Sequence, residues 1–256
     1  MTLNEIAGKA CLVTGASRGI GAAVAQGLGA HGAKVMVHYR SGQAQAEAVA
    51  AYIEDHGGTA RTVQADLTEP GAADRLIQET VAAFGRLDVL INNAGDQISR
   101  VSLPDFPDEL FERHMAITVR PVVSACRAAV RQFRKQNSGG NIINVSSVAA
   151  RTGGGAGSAV YAGAKAFVST FSRSIAKEHA RDGIRVNVVS PGVITTDMQD
   201  RVTSQEQLKA TVTQIPMGRI GDPEDCVGTF LFLCSDQLSG YVTGQVVEIN
   251  GGLLMP

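Results

Sequence analysis

Residues 10–24 read Ala10-Cys11-Leu12-Val13-Thr14-Gly15-Ala16-Ser17-Arg18-Gly19-Ile20-Gly21-Ala22-Ala23-Val24. An apolar run without polar alternation comes first, then three glycines at GxxxGxG spacing, then a helical pattern. A continuous apolar run is how a strand reads when both its faces are buried, as in a parallel sheet. A strand that turns directly into a helix aims free backbone N–H groups at the turn, and the helix dipole adds positive potential there. Glycines permit the tight turn and let a phosphate or a neighbouring strand approach without a Cβ in the way. The stretch therefore predicts a first strand, a pyrophosphate-binding turn and a first helix.

The same alternation continues along the chain. Strand-like runs lie at Ala10–Thr14, Lys34–His38, Ala60–Gln64, Val89–Ile91, Ile142–Val145, Val186–Val189 and Val246–Ile249. Helical patterns lie between them at Gly19–His31, Gln43–His56, Ala72–Phe84, Asp108–Gln136, Ala159–Arg181 and Pro223–Cys234. Parallel strands need such crossovers, so the repeated βαβ order predicts an α/β fold with a doubly wound sheet. Seven strands fill most of residues 1–256, which leaves a single domain as the expectation. The longest irregular piece is Gly192 to Asp222. Ligands bind beyond the carboxyl ends of strands in open α/β sheets, so this excursion is a candidate substrate lid, with a short helix around Gln205–Lys209.

Composition narrows the function. Of 256 residues, 29 are glycine, above the usual level of about 7%. The formal net charge is −1, so no basic field exists to drive nucleic-acid binding. Cys11, Cys126, Cys226 and Cys234 form no CxxC pair and no zinc-ligand spacing with histidine, so they read as buried hydrophobes and no metal site is expected. Met1–Lys9 lacks the apolar run of a signal peptide, and no stretch approaches the roughly 20 apolar residues of a membrane helix. The expectation is a soluble cytoplasmic protein acting on a small molecule.

The second strand bears on which nucleotide is bound. An NAD site usually places Asp or Glu near the end of that strand, on the ribose hydroxyls. Here the strand ends Val37-His38-Tyr39-Arg40-Ser41, with no acid. Arg40 offers a charge-assisted fork to a 2′-phosphate, Ser41 a hydroxyl, and Arg18 a second cation from the glycine turn. These residues favour NADP(H).

Further on, Tyr161 and Lys165 stand four apart, on one face of a helix. Ser146-Ser147 ends the strand before them. A tyrosine with its ordinary pKa near 10 is a poor acid–base group at neutral pH. A nearby ammonium and an oxidised nicotinamide lower that pKa, which lets the phenol exchange a proton with a carbonyl or alcohol oxygen while a serine hydroxyl holds that oxygen.

With these motifs in order, the whole chain resembles the short-chain dehydrogenase/reductase family. Thr14-Gly15-Ala16-Ser17-Arg18-Gly19-Ile20-Gly21 matches the TGxxxGxG turn, Asp66-Leu67 the adenine-contacting acid after the third strand, and Asn92-Asn93-Ala94-Gly95 the NNAG motif. Ser147 with Tyr161 and Lys165 matches the catalytic serine and YxxxK, and Pro191-Gly192-Val193-Ile194-Thr195-Thr196 the segment beside the nicotinamide. The ending Gly244-Gln245 through Asn250-Gly251-Gly252 is similar to that of 3-oxoacyl-[acyl-carrier-protein] reductases. The resemblance implies a Rossmann-type seven-stranded sheet with helices on both faces, a homotetramer, and hydride exchange between nicotinamide and a carbonyl. It implies that Gly15, Ser17, Arg18, Gly19, Ile20 and Gly21 form the pyrophosphate turn and that Asp66 and Leu67 contact adenine. Asn93, Ala94 and Gly95 would line the cofactor cleft, Lys165 would hold the nicotinamide ribose, and Pro191, Gly192, Ile194 and Thr196 would flank the carboxamide. Tyr161 is then the acid–base, with Ser147 orienting the oxygen. The candidate substrates are ketones, 3-oxoacyl thioesters and sugars; the non-enzyme alternative is a nucleotide-sensing protein with a decayed site.

Two departures stand out. In Met115-Ala116-Ile117-Thr118-Val119-Arg120-Pro121, Thr118 occupies the place of the family's asparagine. Its single hydroxyl replaces at most part of an amide's role in the proton relay. Ser147 and Tyr161 are fourteen apart, where thirteen is common, and the run Arg151–Ser158 absorbs the extra residue. Ser146 points the other way, since neighbours on a strand face oppositely. Glycines 153, 154, 155 and 157 leave an open floor to the substrate pocket. His114 and His179 read as structural or surface residues.

Overall fold

The computed structural model describes residues 4–255. Its strands are β1 (Ala10–Val13), β2 (Lys34–Tyr39), β3 (Thr59–Gln64), β4 (Val89–Asn92), β5 (Gly140–Val145), β6 (Ile184–Pro191) and β7 (Val246–Ile249). All pair in parallel, in the order β3-β2-β1-β4-β5-β6-β7. This is the doubly wound Rossmann-type sheet expected from the apolar runs. The helices are α1 (Gly19–Ala30), α2 (Gln43–Asp55), α3 (Ala72–Phe84), α4 (Asp108–Thr118), α5 (Arg120–Gln136), α6 (Ala149–Thr152), α7 (Ala159–His179), α8 (Asp197–Val202), α9 (Gln205–Val212), α10 (Pro223–Cys234) and α11 (Asp236–Ser239).

Alternation along the strands divides the core in two. Cys11 and Val13 of β1 join Val35, Val37, Val89 and Ile91 on one face, under Leu28 of α1, Ile53 of α2 and Phe230 of α10. Leu12 of the same strand points the other way, with Met36, Leu90 and Ile142, against Leu76 of α3, Phe133 of α5 and Val168 of α7. Period-two side chains on a sheet buried on both faces dictate this arrangement. All four cysteines are buried and unbridged. Burial raises the thiols of Cys126, Cys226 and Cys234 to about 12, so they stay protonated and inert.

Two helical regions hold a different number of helices from the sequence expectation. The predicted helix Asp108–Gln136 is two helices, broken at Val119, which ends α4 and caps α5 with φ −93° and ψ −54°. Pro121 is the cause: it has no N–H to donate and its ring clashes with the carbonyl four residues back. The excursion after β6 holds two helices rather than one. Thr196 caps α8 by accepting from Gln199 N at 3.4 Å, and Ser204 caps α9 in a reciprocal box with Gln207. These are side-chain acceptors for orphan N–H groups at helix starts.

Candidate active site

The strand order reverses between β1 and β4, the point where open α/β sheets form a crevice. Two motifs distant in sequence are tied together there. Thr14 Oγ1 accepts the N–H groups of Asn93 and Ala94, each at 3.0 Å. Asn93 Nδ2 in return donates to the carbonyls of Thr14 and Gly15, both at 3.0 Å. Gly15 turns the chain at φ +63°, a left-handed conformation that favours glycine. Beneath this turn His38, 2% exposed, bridges β2 to it. Gly15 N donates to its Nδ1 at 3.0 Å, and its Nε2 faces the Ala65 carbonyl at 3.1 Å. That pattern fixes the neutral Nε2–H tautomer, and burial lowers the His38 pKa against opposing pulls from the Ala65 carbonyl and Asp66.

A cleft of about 970 Å³ opens over the carboxyl ends of the strands. Of the candidate cofactor residues, Gly15, Ser17, Arg18, Gly19, Ile20, Arg40, Ser41, Asp66, Leu67, Asn93, Ala94, Gly95, Pro191, Gly192, Ile194 and Thr196 line it, together with Ser147, Tyr161 and Lys165. Two candidates do not. Gly21 lies under the turn, where a Cβ would stand 2.3 Å from the Gly15 carbonyl oxygen and 2.5 Å from Asn93 Nδ2. Thr118 is buried at the end of α4, away from the cleft wall, and its Oγ1 has no hydrogen-bond partner among the described residues.

The cleft fits a dinucleotide at its β1–β2 end. No side chain caps the first turn of α1, and that turn holds no acidic residue; its N–H groups and dipole are thus left for an anion. Arg40 and Ser41 are exposed at the end of β2. Asp66 Oδ1 accepts the N–H and hydroxyl of Thr68 at 2.9 and 2.7 Å. Those bonds, with smaller help from Arg40 and His38, hold its carboxyl below the ordinary range. Arg18 Nη1 pairs with Asp197 of α8 at 3.0 Å.

At the other end stand the chemical residues. Tyr161 and Lys165 project from α7 and both are buried. Lys165 Nζ donates to the Val145 carbonyl at 2.9 Å and lies 6.0 Å from the Tyr161 ring centre. Ser147 and Tyr161 line the cleft together, and the Ser147 hydroxyl pulls the Tyr161 pKa down. Ser146 faces away, with its Oγ donating to the Lys165 carbonyl and paired with Ser169, each at 2.8 Å. The two serines therefore divide the work: Ser146 staples β5 to α7, and Ser147 faces the cleft.

Burial raises the Tyr161 pKa, which outweighs the lowering by the Ser147 hydroxyl and the Arg100 charge, while Asp96 adds to the rise. Burial also brings Lys165 down to about 8, against the pull of Asp96. One N–H of the ammonium goes to a backbone carbonyl, and burial favours the protonated phenol of Tyr161 in the free protein.

Sequence reading missed several residues of the cleft. Asp96, Gln97 and Arg100 come from the irregular segment after β4, and Arg201 from α8. Arg201 grips Asp96 at 2.7 and 3.0 Å, tying the excursion after β6 to the β4 loop. The one available signal was position, since residues 96–101 follow the carboxyl end of a strand. His114 is buried against Phe106, with ring centres 6.1 Å apart, and burial lowers its pKa. His179 pairs with Asp182 at 3.1 Å. Both lie outside the cleft. No helix among the described residues is long and apolar enough to cross a membrane, and no group of three metal-binding side chains occurs among them.

This chain belongs to the short-chain dehydrogenase/reductase family. A family profile described as "Enoyl-(Acyl carrier protein) reductase" matches residues 15–254. The 3-oxoacyl-[acyl-carrier-protein] reductase of Synechocystis sp. is 39% identical over 99% of this chain and 100% of its own. A short-chain type dehydrogenase/reductase from Mycobacterium marinum superposes with TM-score 0.92 at 34% identity, covering 99% of this chain and 98% of that one. The NADH-dependent reductase A1-R' complexed with NAD superposes with TM-score 0.87 at 33% identity, covering 99% and 100%. The protein is an oxidoreductase of this family, and a nicotinamide cofactor goes with it.

Proposed function

We propose that this chain is an NADPH-dependent carbonyl reductase, reversible as an alcohol dehydrogenase. The observation that carries the reading is the convergence of Ser147, Tyr161 and Lys165 in the cleft that begins at the uncapped α1 turn. When bound, the nicotinamide supplies the hydride for reduction and accepts it for oxidation. Ser147 holds the carbonyl oxygen by hydrogen bond, and Tyr161 Oη gives that oxygen its proton. A phenol kept protonated by burial is the correct state for the reducing direction. Lys165 binds the nicotinamide ribose hydroxyls and supplies positive charge as the phenol gives up its proton. Gly15, Ser17, Gly19, Ile20 and Gly21 form the pyrophosphate turn, Gly21 through packing alone. Asp66 and Leu67 hold the adenine, while Asn93, Ala94, Gly95, Pro191, Gly192, Ile194 and Thr196 flank the nicotinamide. Thr118 acts at most from behind the wall.

Preference for NADPH rests on Arg40 and Ser41 at the mouth beside β2, with no acid at the end of that strand. The excursion 192–222 serves as lid, latched by Arg18–Asp197 and Arg201–Asp96. A second reading, reduction of 3-oxoacyl thioesters, is favoured by the name of the Synechocystis relative. NADPH oxidation followed at 340 nm against a panel of ketones, sugars and 3-oxoacyl thioesters tests both. Turnover of any of them supports the reductase; cofactor binding with no turnover supports a nucleotide-sensing protein.

A further inference from the structure

Past Ser147 and Tyr161 the cleft continues into a chamber. Its walls are residues 96–101 after β4, the exposed Arg113 and half-buried Ile117 of α4, the glycine-rich stretch 152–158 before α7, and the helices α8 and α9. Arg100 stands among them. Its Nη2 donates to Thr203 Oγ1 at 3.1 Å, on the lid side. Its Nη1 lies against Gly155, where a Cβ would stand 2.5 Å away. Its Nε is buried and has no hydrogen-bond partner among the described residues. No carboxylate among the described residues pairs with it either: Asp96, the acid nearest in sequence, has both oxygens on Arg201 Nη2.

The segment bearing Arg100 is fixed in place. Gln97 Nε2 donates to Ser158 Oγ at 2.8 Å, both residues buried. Val101 N donates to the Gly157 carbonyl at 3.2 Å. Gly157 lies at φ +76°, and a Cβ there would stand 2.8 Å from Val101 N. The glycine run that lengthens the Ser147–Tyr161 interval is therefore a seat for Arg100. Hydroxyls and amides of Thr152, Gln207 and Thr211 line the chamber beside it, with apolar surface from Ile98 and Met198. Tyr161 is the one Phe, Tyr or Trp among the described lining residues.

A half-buried guanidinium without a carboxylate is costly unless an anion completes it, and its planar fork matches a carboxylate. Its charge also reaches the reacting phenol. We infer that Arg100 is the anion-binding residue of the substrate chamber, and that the carbonyl compounds reduced here carry a carboxylate. This rests on the carbonyl-reductase reading above and narrows it from ketones in general to oxoacids.

The test compares oxocarboxylates from 2-oxobutanoate to 5-oxohexanoate with their methyl esters, and with dihydroxyacetone phosphate as a phosphate-bearing ketone. The full-length wild type, Arg100→Met and Arg100→Lys are each assayed with whichever nicotinamide cofactor the wild type accepts. For the best chain length, wild type favours the acid over its ester by about 10- to 100-fold in kcat/KM, as a charge-assisted hydrogen bond allows. Arg100→Met erases that ratio, and Arg100→Lys, which keeps the charge but not the fork, retains part of it. Should Arg100→Met fail to fold, the reduced ratio in Arg100→Lys carries the test. An ester preference in wild type, an unchanged ratio in the variants, or a preference for the phosphate overturns the assignment. Calorimetric titration with the oxocarboxylates separates the two claims. Acid-selective, Arg100-dependent binding without turnover of any carbonyl keeps the anion site and rejects the reductase. Turnover of uncharged carbonyls with no effect of Arg100 does the reverse.

Discussion

Replacing Gly21 by alanine probes the turn from below. The added methyl would stand 2.3 Å from the Gly15 carbonyl oxygen and 2.5 Å from Asn93 Nδ2. Both neighbours are fixed, because Asn93 Nδ2 holds the carbonyls of Thr14 and Gly15 at 3.0 Å. Forcing a methyl into packed structure costs about 1–3 kcal/mol. Displacing the Asn93 amide forfeits two hydrogen bonds at about 1 kcal/mol each. Alanine returns about 1 kcal/mol over glycine in a helix. The net loss is about 2–4 kcal/mol, against about 5–15 kcal/mol for a typical folded protein. The variant is therefore expected to fold but to unfold at clearly lower urea. Its turn, pushed toward the cleft, is expected to bind NADPH at least about tenfold more weakly, one hydrogen bond's worth. Urea unfolding followed by circular dichroism, with a fluorescence titration of NADPH, reads both effects. A variant within about 0.5 kcal/mol of wild type and equal in cofactor affinity would refute the reasoning, since the close approach would then carry no weight.

Arg40→Asp is expected to turn the NADPH:NADH ratio of kcat/KM toward NADH by about 10- to 100-fold, the range for a charge-assisted contact; wild type that already prefers NADH contradicts the role given to Arg40. His38 is neutral in the fold with its pKa lowered by burial, so its contribution is full above the unfolded value near 6.5 and is lost as pH falls. The melting-temperature advantage of wild type over His38→Gln is accordingly expected to shrink between pH 7.5 and 5, and a constant difference would show that His38 does not titrate against folding. Arg201→Ala removes a half-exposed pair with Asp96, so thermal stability is expected to change by less than about 1 kcal/mol while substrate KM rises; a large melting shift with unchanged KM would make the pair structural rather than a latch.

The fold was legible because several strands, β1 and β4 above all, are nearly pure apolar runs, whereas the edge strand β3 alternates. Cys11-Leu12-Val13 and Val89-Leu90-Ile91 feed both faces of the sheet, so no alternation disguises them. The helix boundary at Val119 was hidden, since an apolar period running through Pro121 reads as continuous although the proline ends it. The cofactor end of the cleft was legible because a turn between strand and helix is a local object. Its ties were not: the Thr14–Asn93 bonds join residues 79 apart in sequence. The same holds for the chamber, where Arg100 meets Thr203 across 103 positions. YxxxK gives the spacing of Tyr161 and Lys165, but the bond from the Lys165 ammonium to the Val145 carbonyl belongs to another element and was not legible. The direction of Ser146, toward Lys165 and Ser169 of α7, was legible, since strand alternation is itself local.

The central claim is that Tyr161 moves the proton in a carbonyl reduction. The most direct test is turnover of a carbonyl compound, read as NADPH consumption at 340 nm, in wild type and Tyr161→Phe, alongside NADPH binding in both. Removing a general acid is predicted to lower kcat by about 10²- to 10⁴-fold, with NADPH affinity retained. Turnover in Tyr161→Phe at the wild-type rate would contradict it.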